Sequence, residues 1–360
     1  MDNPALSPAI RRASFATGDP TLFKNLIVYR IGPGWAANAG AAHSRLDAAA
    51  FIECGPTQPA SAGWAAPRGV AHAPLLELVS GQWLLRLMTE QRVLPSAVVK
   101  RRTEERAAQI ELATGRKPGK KQTKELKDEV VLDLLPLAFT KQASIHVWLN
   151  PAQRLLMIDA SSAAKADAVV THLVKALDGL VVTPLHTVQS ATAAMSEWLA
   201  TGEPPAAFSV DRECQLKSAD EMKSVVRYAR HALDIDEVRQ HIAAGKLPTR
   251  LALTWQGRVS FVLTESMQIR KLAFLDGVFE GKGQAQGAGK TTEDAFDADV
   301  TIATGELNQL IPDLMQALGG EQTFGASAAP AGGEPVAAPP AAAAVAPAGK
   351  AATADTAAPW

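Results

Sequence analysis

The spacing of apolar and polar positions changes several times along this chain. Asn25–Ile31 (NLIVYRI) is a run of β-branched and aromatic residues closed by Gly32-Pro33-Gly34, the pattern of a strand followed by a breaker. Ala37–Phe51 mixes polar and apolar positions as a helix does. Gln82–Met88 (QWLLRLM), preceded by Gly81, predicts another strand. Ser144–Leu149 and Arg154–Asp159 flank the turn dipeptide Asn150-Pro151 and predict a β-hairpin. In Ala163–Leu177, the residues Val169, Val170, Leu173, Val174 and Leu177 recur at helical spacing. Strands and helices are mixed without regular βαβ alternation, so the fold class expected is α+β.

The middle of the chain has a different character. Ala97–Ala113 is charged on most faces. In Gln122–Ala138, Leu126, Val130, Leu134 and Leu137 form a helical stripe. The intervening segment, Thr114-Gly115-Arg116-Lys117-Pro118-Gly119-Lys120-Lys121, cannot continue a helix through Pro118 and its glycines. The pattern over 97–139 therefore predicts a helical hairpin that projects as an arm with a basic tip.

After Pro204-Pro205 the spacing predicts helices over Lys217–Arg230 and Ile235–Ala244. Strands are predicted at Arg250–Thr254 and Val259–Thr264, joined at Gln256-Gly257, with a third at Ala298–Ala303. A last helix, Glu306–Leu318, stops at Gly319-Gly320. The organisation expected is a flexible extension over 1–21, a first α+β region over 22–203, a second over 204–321, and a disordered tail over 322–360. That tail is mostly Ala and Pro, with single charges at Glu334, Lys350 and Asp355. No repeat of fixed period is visible.

Composition removes several classes. The chain has 360 residues, 47% of them hydrophobic, and a formal charge of -1. It is neither wholly disordered nor globally basic. No run is long and apolar enough to span a bilayer, and the N-terminal stretch lacks the apolar core of a secretory signal. A cytoplasmic protein is expected. Two cysteines, Cys54 and Cys214, support neither a disulfide framework nor a four-cysteine zinc site.

Charge is balanced overall but not locally. Arg116, Lys117, Lys120, Lys121 and Lys124 follow one another with no acidic residue among them. On the predicted helix, Lys223, Arg227 and Arg230 fall at i, i+4 and i+7, on one face. Stacked like charges are best explained by an anion opposite them, and a nucleic-acid backbone suits such a patch. The ordinary reading of a charge-rich helix and a Lys-rich turn is solvated surface. No helix-turn-helix, zinc-finger or RNA-recognition signature is present, so base-specific readout has no vehicle.

Enzymatic signals are weaker. Gly283–Thr291 (GQAQGAGKT) resembles a phosphate loop but places Gln284 where the first glycine belongs. Asp297 and Asp299 would share a face on an extended segment, where they could hold a divalent metal. That arrangement gives the alternative of a metal-dependent nuclease. A third alternative is an interaction scaffold with the Ala/Pro tail as tether. The seven histidines include no pair at i, i+3 or i+4. Cys54 has no histidine nearby and is expected as a small core residue. Trp35, Trp64, Trp83, Trp148, Trp198 and Trp255 are scattered, as core residues are.

Several blocks, in one order, resemble the RdgC family of bacterial recombination-associated proteins. They are Phe23–Arg30 (FKNLIVYR), Gly63-Trp64, Leu94–Lys100 (LPSAVVK), Leu126–Val130 (LKDEV), Leu134–Pro136 with Ala138-Phe139, Glu197-Trp198, Gln215–Lys217 (QLK), and Phe296–Asp299 with Thr304–Leu307 (TGEL). The resemblance runs from about Leu22 to Gly320. It implies a non-enzymatic protein without a cofactor, a homodimer closed head-to-head and tail-to-tail into a ring around duplex DNA. Such proteins also bind single strands and restrain RecA-driven strand exchange, so a nucleoid location is implied. Carried over by position, Arg116 lies on the basic arm; the Lys117–Lys121 turn suits that arm without matching it, and Lys100, Arg101, Lys117, Lys120, Lys121 and Lys124 are expected to bind DNA beside Arg116. Arg230 falls where the family places a basic residue in its second-half helix, and Lys223 and Arg227, grouped with it by spacing, are expected to bind DNA with it. Phe139 sits at the arm-associated aromatic position near the ring-closing contact. The chain departs from the family in its N-terminal extension, its glycine-rich stretch over Gly281–Gly289 and its Ala/Pro tail. It also has Leu137 where a basic residue would be natural.

Overall fold

A computed structural model describes residues 22–70, 72–275, 277–279 and 292–322. The extension over 1–21, the glycine-rich stretch with its phosphate-loop-like motif, and the tail after 322 lie outside the described residues.

The fold is α+β. Among the described residues, twelve strands form one sheet, and every strand pair in it is antiparallel. In chain order the first half contains β1 (Leu26–Ile31), α1 (Ala39–Ala48), β2 (Ala60–Ala65), β3 (Leu76–Val79) and β4 (Gln82–Arg92). It continues with α2 (Ser96–Thr114), α3 (Lys120–Leu134), β5 (Thr140–Asn150), β6 (Leu155–Asp159), α4 (Ala163–Ala176), β7 (Val182–Pro184) and α5 (Ala191–Thr201). The second half contains β8 (Phe208–Ser218), β9 (Val225–Ala229), α6 (Asp236–Ala243), β10 (Lys246–Trp255), β11 (Val259–Thr264), β12 (Ile269–Phe274) and α7 (Thr292–Ala317).

The strand order is β2-β4-β5-β6-β1-β12-β11-β10-β8-β9, with β3 also on β4 and β7 also on β1. Strand β1 joins the halves, pairing along β6 on one edge and with β12 through Leu26 and Ile269 on the other. Its alternation sends residues to opposite faces. Leu26 and Val28 enter one core, while Tyr29 and Ile31 enter a second.

The two cores lie on opposite faces. The first extends along the sheet and is closed by α5, α6 and α7, through residues such as Trp198, Val238 and Leu307. The second is closed by α1 and α4, through Leu46, Val169 and Leu173. No residue of β8–β12 belongs to the second core. On that half of the sheet, among the described residues, helices pack on the face of the first core and none belongs to a core on the other, the ordinary economy of an antiparallel sheet. All six scattered tryptophans are buried. Trp148 Nε1 donates to Gln82 Oε1 at 2.8 Å and Trp255 Nε1 to Asp313 Oδ2 at 2.8 Å, so those two indole N–H groups are satisfied. Cys214 is buried in the first core and burial pushes its thiol up to about 12. Cys54 is half-buried, with its backbone N–H on the Glu90 carboxylate.

Two expectations are overturned. Lys217–Arg230 is not a helix. It is the end of β8, a turn, and β9. Cys214, Leu216 and Tyr228 alternate into the first core, and pairing with β10 holds β8 in place, so lateral pairing and burial override helical spacing. The strand expected at Ala298–Ala303 is part of α7. Val300, Ala303, Leu307, Leu310 and Leu314 recur at helical spacing and are buried, which extends the helix upstream of Glu306.

Candidate nucleic-acid interface

Helices α2 and α3 connect β4 to β5. Both form where spacing predicts them, and the turn between them is closed by Gly115, whose φ of 68° is the left-handed conformation at the end of α2. The helices pack on one another through a thin apolar seam. The buried residues are Val99 and Thr103 on α2 and Leu126 and Val130 on α3. Arg106 fastens the pair by an ion pair to Asp133 and a second, at 4.0 Å, to Glu129.

Every cation assigned to this pair is exposed. Three have acidic neighbours one turn along: Lys100 with Glu104 at 3.9 Å, Arg101 with Glu105 at 3.6 Å and Lys121 with Glu125 at 4.0 Å. Exposed pairs of this kind hold their charges loosely. Arg116, Lys117, Lys120 and Lys124 have no ion-pair partner among the described residues. The tip of the helical pair is therefore an uncompensated positive cluster. Near its base, Phe139 is 88% exposed and Leu137 79% exposed, so both present apolar surface to solvent.

Lys223, Arg227 and Arg230 are also exposed, but they do not share a helix face. Lys223 lies in the β8–β9 turn with φ 47°, and its N–H donates to Asp220 Oδ1 at 3.0 Å. Arg227 is in β9, where Nη2 donates to Gln215 Oε1 at 3.0 Å. Arg230 ends the strand with φ 56°. Seven strand steps separate β5 from β9, roughly 35 Å along the sheet at the usual spacing. The elements that carry the two predicted cationic groups are thus attached to the sheet at strands seven steps apart.

The β-structure brings forward cations that the helical reading missed. Directly paired residues point to the same face, so Arg227, Gln215 and Arg250 form one row across β9, β8 and β10, on the face away from the first core. In the next row Lys217 stands between Val225 and Leu247. Lys217 and Arg250 are exposed. The signal that could have found them is alternation: Lys217 and Gln215 flank Leu216, and Arg250 precedes Leu251. Farther along the same face Arg270 is occupied, with Nη2 on Ser161 O at 2.8 Å and on Gln268 Oε1 at 2.7 Å.

The paired-carboxylate expectation also changes. Asp297 and Asp299 are on helix α7, where residues two apart diverge by about 200° rather than sharing a face. Asp297 is engaged by Arg68 at 2.7 Å. Among the described residues no group of three or more His, Cys, Asp or Glu side chains is placed to hold a metal ion. No described helix is long and apolar enough to cross a membrane.

A family model described as RdgC, putative exonuclease, matches residues 21–321. The recombination-associated protein RdgC of Dechloromonas aromatica strain RCB is 44% identical over 302 residues, covering 83% of this chain and 98% of that protein. The protein of the same name from Herminiimonas arsenicoxydans is 44% identical over 300 residues, covering 83% of this chain and 98% of its own. That of Cupriavidus necator is 46% identical over 300 residues, covering 83% and 99%. The family model's span stops one residue short of Gln322, the last described residue.

Proposed function

Because the chain belongs to the RdgC family, we propose that it is a DNA-binding protein of homologous recombination that holds DNA with little regard to sequence. In this reading two copies close into a ring around duplex DNA, with the α2–α3 pair as the projecting arm. The ring also takes single strands and restrains RecA by occupying DNA in the nucleoid. The observation that carries it is the uncompensated cluster of Arg116, Lys117, Lys120 and Lys124 on a chain whose formal charge is -1 overall. Each phosphate such a cluster neutralises releases counterions, which supplies affinity without reading bases. Phe139 is exposed where a contact between copies would use it.

Encirclement has a topological signature. Protein loaded at low salt should survive a high-salt wash on closed circular DNA, and should slide off the same DNA once it is cut. Equal loss from both forms would remove the ring. No DNA shift at low salt would remove DNA binding altogether.

The description of the matched family as a putative exonuclease supports a second reading. Degradation of end-labelled DNA by the purified chain with magnesium or manganese would establish it. Asp297→Asn and Asp299→Asn would then show whether those carboxylates take part.

A further inference from the structure

We propose that Arg86 and His146, facing each other across β4 and β5, bind a small oxyanion of the sulfate or phosphate class, and that binding carries a proton from solvent onto the imidazole. The site is separate from the cations assigned to DNA and does not depend on that reading.

Register puts the two side chains together. Arg86 is directly opposite His146 on β5 and Ala65 on β2. Each is two residues from a first-core residue, Leu84 and Trp148 respectively, while Leu85, Leu87 and Val147 enter the second core. Both side chains therefore lie on the face of the first core. Arg86 Nε and His146 Nε2 are buried and have no hydrogen-bond partner among the described residues. Burial alone lowers the Arg86 pKa, with no carboxylate acting on it. The charged groups on the elements around the pair are occupied. Arg68, on the loop after β2, holds Glu77 of β3 and Asp297 of α7. Glu90, farther along β4, accepts from the Cys54 N–H and from Gln142 Nε2. Asp299 of α7 is engaged as well.

A half-buried guanidinium without a carboxylate is costly, and a buried donor without an acceptor adds to the cost. One oxyanion relieves both, because the guanidinium offers it a fork of N–H donors. The imidazole completes the site only when charged. Its hydrogen bond to Pro67 is made to a carbonyl, which accepts, so that ring nitrogen carries the hydrogen. In the neutral ring Nε2 then holds a lone pair, which repels an anion. A proton taken from solvent turns Nε2 into a donor. Burial and the Arg86 charge hold the imidazole pKa down at about 4, and an anion beside Arg86 offsets that charge. Anion binding and proton uptake are thus one event. The two groups form a single cross-strand pair, so they converge on one small ion rather than tracking an extended polyanion.

The test follows the His146 ring signal of the full chain by NMR against pH, in sodium sulfate and in sodium chloride at equal ionic strength, with His146→Gln identifying the signal. Sulfate should move the midpoint from about 4 to about 5 or higher, which by reciprocity means at least about tenfold tighter sulfate binding to the protonated chain. Arg86→Gln should abolish the sulfate effect and raise the midpoint in chloride. Identical titrations of the folded wild type in the two salts would overturn the site, and a sulfate effect that survives Arg86→Gln would overturn the part assigned to Arg86. Inorganic phosphate and adenosine monophosphate should act as sulfate does, and the tighter of the two identifies a free ion or a phosphomonoester as the source. Duplex DNA that moves the signal as sulfate does would overturn the small-ion site in favour of a nucleic-acid contact.

Discussion

Arg68 and Asp297 lie 229 positions apart in sequence and are joined at 2.7 Å, Nη2 to Oδ1. The same guanidinium donates through Nε to Glu77 Oε1 at 2.7 Å and sits 4.8 Å from the centre of the Phe296 ring. It thereby ties the loop after β2 to β3 and to the first part of α7. The two carboxylates are not equivalent: Glu77 is 8% exposed, whereas Asp297 has nearly half its side chain in water. Arg68→Ala leaves Glu77 desolvated and without its cation, and should cost about 3 kcal/mol. Asp297→Ala removes only the wetter partner and should cost less than about 1 kcal/mol. Urea midpoints at constant m-value measure both. R68M/E77L, which removes both charges, should recover most of the stability, because the cost lies in the unpaired charge.

His146 and Arg86 stand directly opposite each other on β5 and β4. Burial, reinforced by the Arg86 charge, pushes the imidazole pKa from 6.5 down to about 4, while a hydrogen bond to Pro67 works the other way. The folded state therefore binds fewer protons than the unfolded one between those values. Stability from this group is complete above about pH 6.5 and is lost as pH falls toward 4. Across that window the wild type should lose about 3 kcal/mol more than His146→Gln. The readout is the pH slope of unfolding free energy, which a purely structural cost of the substitution would leave alone.

Local elements were legible where one signal dominated. The run at Leu26–Ile31, the hairpin around Asn150-Pro151 and the apolar stripe of α4 lie where the sequence predicts them. The left-handed φ values at Gln256 and Gly257 match the expected turn there. The errors arose where two periods competed. Lys223, Arg227 and Arg230 fit a helical spacing by coincidence, while Val225, Val226 and Tyr228 carried the weaker β signal that long-range pairing made decisive. In α7 the sequence predicts the helix only from Glu306 onward, straight through Pro312, and misses the upstream part in which the buried row begins at Val300. Pairings such as Leu26 with Ile269 cannot be seen in sequence, because nothing local specifies a partner more than 200 residues away. The same holds for Gly63. A Cβ there would meet the Phe51 Cα at 2.5 Å, a close approach that only the folded crossing imposes. The candidate site was half legible. The tip cations are where their spacing put them, whereas Lys217 and Arg250 became visible only once β8, β9 and β10 were in register.

Phe139 contributes its side chain to nothing within the described core, while its carbonyl accepts from Val93 N–H at 2.8 Å. Phe139→Ala keeps that backbone bond, so monomer stability should change by less than about 0.5 kcal/mol. An aromatic anchor between copies would behave differently: its removal should weaken self-association by at least about 2 kcal/mol, roughly thirtyfold. Sedimentation equilibrium across a dilution series, beside a thermal melt, separates the two quantities. An unchanged dimer would take Phe139 out of the interface between copies.

The cations of the helical pair should differ in their worth to DNA binding according to the company each keeps. Arg116, Lys117, Lys120 and Lys124 have no acidic partner among the described residues, so a phosphate gains their full charge. Lys100 and Arg101 face Glu104 and Glu105, and a phosphate must compete with those carboxylates. Replacing Arg116, Lys117, Lys120 and Lys124 by Gln should therefore flatten the salt dependence by up to about 3.6, at about 0.9 per phosphate. K100Q/R101Q should flatten it by clearly less than about 1.8. Both sets are exposed, so circular dichroism should report unchanged helix content. An equal effect per residue in the two sets would mean that position along the helical pair, rather than freedom from acidic neighbours, decides which cations meet DNA.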